Sequence, residues 1–423
     1  MNPVVILRRP WRVLVLAGLC PWWVAAAPPA LTVDDAMALA AARSMALPAQ
    51  SAAAQAARER AVAAAQRPDP VLRIGLDNVP VEGSARHLLT REPTTARSIG
   101  LVQALPDEAK RRARALGFNQ AAALADVRRA AALSTLRREA ALAWWAVHTQ
   151  TRRLAVLAAQ RDEATRLVQA TEAAYRAGRG GQADVFTARA APARLDERRL
   201  LVAQQLADAR SLLGRWIGDD AQRPLAEAPP LDDPSVDRHD LASVASVDPD
   251  VQTASAREAL ARAAAQLAQE ERRADWSVDL RFAQRGPRYD NMVTIGLSLP
   301  LRWDLANRQD RELAARQAEA LQAEAETEEL RRERLAQIAR WHQGWHSGLA
   351  RLALVDDQLL PLAAARTQAA LAAYRAGNGP LQAVLDARQA ALALQLERLQ
   401  IEADTASDAI RLTTLSLPPK TTR

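Results

Sequence analysis

A chain of 423 residues carrying a net charge of +7, one cysteine and 4% aromatics sets aside several classes at once. Its basic residues are interspersed with acidic ones, the pattern of solvated helix faces, which excludes a nucleic-acid surface; a lone cysteine excludes a disulfide framework. Abundant alanine and sparse glycine favour helices that pack closely through small side chains.

From the N-terminus, Arg8, Arg9 and Arg12 form a basic n-region and Val13 to Leu19 a short apolar run. Val24 and Ala26 occupy the −3 and −1 positions of an A-x-A-like cleavage site. The run is shorter than the about 20 residues of a spanning helix. Residues 1–26 are therefore expected to be a removable signal peptide, whose three arginines reduce the +7 to +4 when they leave. Cys20 lies between Leu19 and Pro21, a poor context for lipid attachment, and cleavage after Ala26 leaves a mature chain without a thiol. No later stretch is apolar and long enough to span a membrane as a helix, so a membrane crossing would fall to strands.

The mature chain is one unit written twice. Ala173-Ala174-Tyr175-Arg176-Ala177-Gly178 returns as Ala372-Ala373-Tyr374-Arg375-Ala376-Gly377, an offset of 199 between Tyr175 and Tyr374. Gly180, Val185 and Ala188-Arg189 match Gly379, Val384 and Ala387-Arg388 at the same offset. The expected units are residues 27–217 and 236–415, joined by a Pro- and Asp-rich linker over 218–235 and followed by a tail over 416–423.

The first unit opens with a helix expected over Val33 to Gln66, with Thr32 as N-cap before Asp34 and Asp35. Its counterpart is expected from Arg238 to Arg273. Each is followed by two strands. In the first unit Leu72, Ile74 and Leu76, then Ile99 and Leu101, alternate around a loop from Val79 to Thr94. In the second, Trp276, Val278, Leu280 and Phe282 alternate with polar or small residues up to the turn Arg285-Gly286-Pro287-Arg288; then Val293, Ile295, Leu297 and Leu299 do the same. Such segments suit a transmembrane β-barrel wall, with Trp276, Tyr289 and Trp303 near its interfaces. A sheet with one wet face gives identical alternation. Four strands cannot close a barrel and open edges are not tolerated in lipid, so a barrel would pool strands from several copies; three would supply twelve.

A long helix follows each strand pair. Glu108 to Ala177 contains no proline and would span roughly 100 Å at about 1.5 Å per residue. Its counterpart runs from Leu305 to Ala376 with a kink expected at Pro361. Beyond the glycine turns a helix returns in each unit, with seven-residue spacing at Leu195, Val202 and Ala209, at Leu385, Leu392 and Leu399, and at Leu396, Ala403 and Ile410. These read as coiled-coil seams or as the core stripes of a bundle.

The order of helix, strand pair, long helix, glycine turn and return helix, stated twice, resembles the TolC-like outer-membrane efflux family over nearly the whole mature chain. Ile99-Gly100-Leu101-Val102-Gln103-Ala104-Leu105-Pro106 followed by Lys110-Arg111-Arg112, with Asp69-Pro70 and Asp77-Asn78-Val79-Pro80-Val81, is similar to its heavy-metal (CzcC- and CusC-like) branch. The resemblance implies a mainly α fold with a small β part: a coiled-coil helical barrel in the periplasm, and four strands per chain in a homotrimeric, 12-stranded barrel set in outer-membrane lipid. It implies as partners a periplasmic adaptor and an inner-membrane RND pump, and passive conduction of heavy-metal cations, with drugs or secreted proteins as alternative cargo. The adaptor would meet the tip at Tyr175, Gly178, Gly180, Gly181, Tyr374, Gly377, Gly379 and Pro380. Asp184 and Asp386 fall where relatives place constriction aspartates; six carboxylates in a trimer would hold cations, with Arg189 and Arg388 as candidate partners. The alternative for either aspartate is a helix N-terminal carboxylate.

His342 and His346 stand four apart, a spacing that can share a metal ion, but Gln343-Gly344-Trp345 supplies no acid between them. Trp341 and Trp345, with Trp144, Trp145 and His148 at a similar depth in the first unit, favour a packed aromatic belt. No phosphate loop or nucleophile elbow is present, so no enzyme and no cofactor is expected. A periplasmic coiled-coil adaptor is the rival from another class. It would carry one helical hairpin flanked by lipoyl-like and barrel domains, whereas this chain repeats its hairpin.

Overall fold

The computed structural model describes residues 29–231 and 241–416. The expected signal peptide with Cys20, most of the acidic end of the linker, Arg238 and residues 417–423 lie outside the described residues.

Thr32 opens the first helix as expected. Its hydroxyl accepts the Asp35 N–H at 3.0 Å and the Asp35 carboxylate accepts the Thr32 N–H at 3.2 Å, closing a capping box on α1 (Val33–Arg43). The single helix expected over Val33 to Gln66 is two, however, because α2 spans Ala46–Ala65. Pro48 is the physical reason: a proline ring in a helix collides with the carbonyl four residues earlier. That residue is Ser44, which is extended (φ −69°, ψ 122°). The second unit breaks the same way, into α5 (Leu241–Ser246) and α6 (Pro249–Glu271), with Pro249 in the first turn and Asp248 as N-cap.

Strands β1 (Val71–Asp77), β2 (Ala96–Leu105), β3 (Trp276–Gln284) and β4 (Met292–Ser298) form one antiparallel sheet in the order β1-β2-β3-β4. The two strand pairs join through β2 and β3, which set Ile99 opposite Phe282 and Leu101 opposite Leu280. Leu299, expected on the last strand, lies just past its end, where Pro300 has no N–H to extend the ladder.

The first long helix, α3, runs Glu108–Arg176 without interruption over 69 residues, capped by the Asp107 carboxylate, which accepts the Ala109 N–H at 2.9 Å. Its counterpart begins at Gln309, not Leu305, because the Asp304 carboxylate accepts both the backbone and the side-chain N–H of Asn307 and holds a turn there. It continues as α7 (Gln309–Leu354), a π-helical turn (Val355–Leu359) and α8 (Leu360–Arg375). The expected interruption at Pro361 is thus a π turn immediately before the proline. Trp144 to Tyr175 spans 31 positions, whereas Trp345 to Tyr374 spans 29, and the π turn lies within the shorter interval. A two-residue deletion alone would rotate the helix face below it by roughly 200°. Bonding of the i→i+5 kind changes the phase between the segments above and below. The return helices α4 (Gln182–Ile217) and α9 (Leu381–Ser416) have 36 residues each and start 199 positions apart.

The core follows the repeat. Fully buried Trp144 donates from Nε1 to the Leu31 carbonyl at 2.9 Å, and Trp345 donates to the Leu231 carbonyl at 3.2 Å. Around Trp144 pack Leu31, Ala140, Leu213 and Ile217; around Trp345 pack Ala245, Ile338 and Leu412. Each long helix is therefore tied by an indole to the chain segment that enters its unit. Gly348 on α7 faces Thr405 of α9, whose own Cβ would stand 2.9 Å from an added Cβ, and Gly344 faces the Asp408 carboxylate, so the two helices approach closely there.

Candidate functional site

The sheet has two unlike faces. Register places Leu72, Leu101, Leu280 and Ile295 in one row, and Ile74, Ile99, Phe282 and Val293 in the next. Val278 pairs with Leu297, and Trp276 with Leu105, on the same side. Most of these side chains are bare: Ile295 is 77% exposed, Leu280 49% and Trp276 45%, while Val278 and Leu105 are half-buried. The opposite face carries Gly75, Ser98 and Ala283 in one row and Arg73, Gly100, Arg281 and Thr294 in another. Arg281 lies 3.8 Å from Asp279 and 3.9 Å from Asp77 there. Gly100 has a backbone reason, since a Cβ would stand 2.9 Å from the Leu280 carbonyl oxygen. In a sheet with one wet face the apolar side is the covered side. Here the apolar side is the uncovered one, and the outer edges of β1 and β4 have no strand beside them among the described residues.

A buried lysine fastens the sheet to the helices. Lys110, 1% exposed at the start of α3, donates from Nζ to the Asp275 carboxylate at 2.6 Å and to the Arg273 carbonyl at 2.9 Å. Its neighbour Arg111 donates to the Ala65 carbonyl at 2.7 Å. Two adjacent cations thus bind the chain where α6 and α2, one from each unit, run out into their strands, favourable positions for positive charge. The sequence presented Lys110 only as the head of a basic run. The overlooked signal is that lysine occurs just twice in the chain, at 110 and 420, among 56 basic residues.

At the other end of the helices both tips have the same backbone. After α3, the Arg179 N–H reaches the Ala174 carbonyl and the Gly178 N–H the Tyr175 carbonyl, both at 2.9 Å. After α8, Asn378 reaches Ala373 at 2.9 Å and Gly377 reaches Tyr374 at 3.1 Å. These are Schellman closures, and Gly178 (φ +70°) and Gly377 (φ +76°) supply the left-handed residue each requires. Gly181 precedes the first turn of α4 and Pro380 that of α9. Leu167, Ala188, Leu381 and Val384 pack the two tips together, with Tyr374 against them, while Tyr175 is exposed.

Asp184 and Asp386 differ in their settings. The Asp184 carboxylate accepts the Gly181 N–H at 3.2 Å, so it caps α4. Asp386 accepts from the Gln382 side chain at 2.8 Å and faces a groove of about 340 Å³ between α4 and α9, also lined by Arg194, Arg198 and Arg388. Within the chain the two candidate arginines bind glutamates: Arg189 donates from Nε and Nη2 to Glu172 at 2.9 and 2.6 Å, and Arg388 lies 3.7 Å from Glu163. Nε and Nη1 of Arg388 are buried without a hydrogen-bond partner among the described residues.

The aromatic belt is packed. His148 stacks on Trp144 with ring centroids 5.3 Å apart, and burial lowers its pKa, favouring the neutral imidazole. His342 is buried beside Trp345, and its ring lies 4.6 Å from that of His346. No cluster of three or more His, Cys, Asp or Glu side chains that could hold a metal ion occurs among the described residues.

No family model and no curated protein matches the chain. Solved structures do. CusC, studied for the changes that accompany its folding and transmembrane channel formation, superposes with a TM-score of 0.77 at 16% identity, over 90% of this chain and 91% of CusC. The outer membrane protein VceC from Vibrio cholerae gives 0.76 at 17%, over 90% and 95% of the two chains. The Campylobacter jejuni CmeC outer membrane channel gives 0.69 at 11%, over 98% and 93%. Architecture is what identities this low establish: the chain has the fold of TolC-like outer-membrane channels, a domain of long helices continuous with a four-stranded antiparallel sheet.

Proposed function

We propose that the protein is the exit duct of a tripartite efflux system: a homotrimer whose twelve strands close a barrel in the outer membrane and whose helices form a periplasmic tunnel. One observation carries this reading, the bare apolar face of a sheet whose two edges are open. Lipid on that face and a neighbouring copy at each edge satisfy both at once. The duct is passive. It would receive cargo from an inner-membrane RND pump through a periplasmic adaptor seated at the Tyr175–Gly181 and Tyr374–Pro380 tips. Heavy-metal cations are the cargo that the resemblance of the Ile99–Pro106 strand and the Lys110–Arg112 run favours.

In this reading Asp184 and Asp386 ring the constriction in three copies and hold cations there. Asp184 also caps α4, so asparagine, which retains an accepting oxygen, separates charge from capping better than alanine. The protein carrying Asp184→Asn and Asp386→Asn is expected to conduct more than wild type in planar bilayers and to lose block by multivalent cations. Unchanged conductance and block would move the gate elsewhere. No channels from folded wild-type protein would overturn the duct itself.

A further inference from the structure

The membrane-facing side of the sheet ends differently at its two rims. Towards the helices it ends in the Trp276–Leu105 pair, with Trp303 exposed just beyond β4. Towards the loops it ends in the row that pairs Leu76 with Arg97 and Arg97 with Gln284. Eight residue steps separate Trp276 from Gln284, about 26 Å along the strand and about 20 Å of height at the tilt of a barrel strand. That is most of the roughly 25 Å apolar band such a wall presents to lipid. Arg97 is the one charged residue on this face among the described strands, and it stands at the loop edge of the band. It is exposed and has no ion pair or side-chain hydrogen bond among the described residues. By contrast Arg281, on the opposite face, is held by Asp77 and Asp279. Arg86 and Arg288, exposed in the two loops above, lie at the same end. Arg285 ties those loops together by donating to the carbonyls of Asp290 at 2.6 Å and Pro93 at 3.3 Å.

We propose that Arg97 binds the headgroup phosphate of an anionic lipid in the leaflet at the loop end of the sheet, and so fixes the depth and orientation of the wall. A guanidinium projecting from apolar surface at headgroup level snorkels to phosphate, which its fork of donors matches in two parallel hydrogen bonds. The indoles at the opposite rim suit an interface without requiring charge. The inference rests on the reading of the sheet as a membrane wall.

The test offers detergent-purified full-length protein an equal mixture of phosphatidylglycerol and phosphatidylcholine and reads retained lipid by native mass spectrometry. Wild type is expected to prefer phosphatidylglycerol, and Arg97→Gln to reduce that preference roughly five-fold. Arg97→Lys should restore part of it, and Arg281→Gln, on the other face, should leave it intact. Equal retention of both lipids by wild type, or an undiminished preference in Arg97→Gln, overturns the proposal. So does displacement of the lipid by millimolar inorganic phosphate, which would mark a free-phosphate site. Channel formation by wild type in phosphatidylcholine bilayers tests the wall separately, so that channels without lipid preference reject this inference alone.

Discussion

Among the described basic residues Lys110 is the buried one, in a chain with 54 arginines and two lysines, and its chemistry explains the choice. A compact ammonium with three donors fits between the Asp275 carboxylate and the Arg273 carbonyl, where a planar guanidinium is too large and too rigid. Asp275 is 35% exposed, so water offsets part of what it loses when unpaired. Lys110→Met is therefore expected to destabilise by about 1–3 kcal/mol, below the 3–5 typical of a fully buried broken pair. Lys110→Arg should destabilise by overpacking, by a similar amount. Both would appear as a lower melting temperature of the helical signal in circular dichroism. Lys110→Arg behaving as wild type would contradict the argument from size. Residue roles of this kind were only partly legible. The Thr32 capping box and the alternative of Asp184 as a helix N-terminal carboxylate can be read from local spacing, because their partners are three residues away. Lys110 binds residues more than 160 positions distant, and no local pattern reports them.

Helices were legible to within one residue where nothing but propensity and capping decides, as for α3, and misread where a proline acts at a distance. Pro48 breaks the chain at Ser44, and Pro249 separates α5 from α6; both effects follow from the same collision that marked Pro361 in the sequence. The π turn was not legible, since it depends on comparing the two units through helices of unequal length. It gives the second tip hairpin a joint that the first lacks. Arg398 of α9 spans that joint, donating from Nε and Nη2 to the two Asp356 oxygens at 2.6 and 3.0 Å and from Nη1 to Glu402 at 2.7 Å. Its equivalent 199 positions earlier, Arg199, pairs among the described residues only with Asp196 on its own helix. Backbone amides over Val355–Leu360 are thus expected to exchange hydrogen faster than those over Val156–Arg161 of α3. Pro361→Ala should slow them. A gain of about 1 kcal/mol, a fraction of the ~3 kcal/mol that a mid-helix proline costs, corresponds to roughly five-fold slower exchange. Equal protection of the two segments in wild type would remove the joint.

At the scale of the whole molecule, alternation in the sequence located all four strands but left a wet-faced soluble sheet and a membrane wall equally supported, because both have period two. The distinction lies in which face the rest of the chain covers, and that is a property of the long helices' connection to the sheet. Two adjacent residues of β4 turn this into an experiment. Ile295 is 77% exposed on the apolar face, and Thr294 pairs with Arg281 on the other. If the bare face met water, Ile295→Lys would be harmless, since an exposed surface substitution typically changes stability by under about 0.5 kcal/mol. If it meets lipid, lysine near mid-band destabilises by about 2–4 kcal/mol per chain, repeated in every copy that closes the barrel. Thr294→Lys faces the water-filled interior in that case and is tolerated. The expected outcome is loss of the heat-modifiable oligomer from the outer-membrane fraction for Ile295→Lys and its retention for Thr294→Lys. Retention by both would return the sheet to water and separate the fold from the duct, whereas loss from both would point to β4 as a strand too constrained to report on either face.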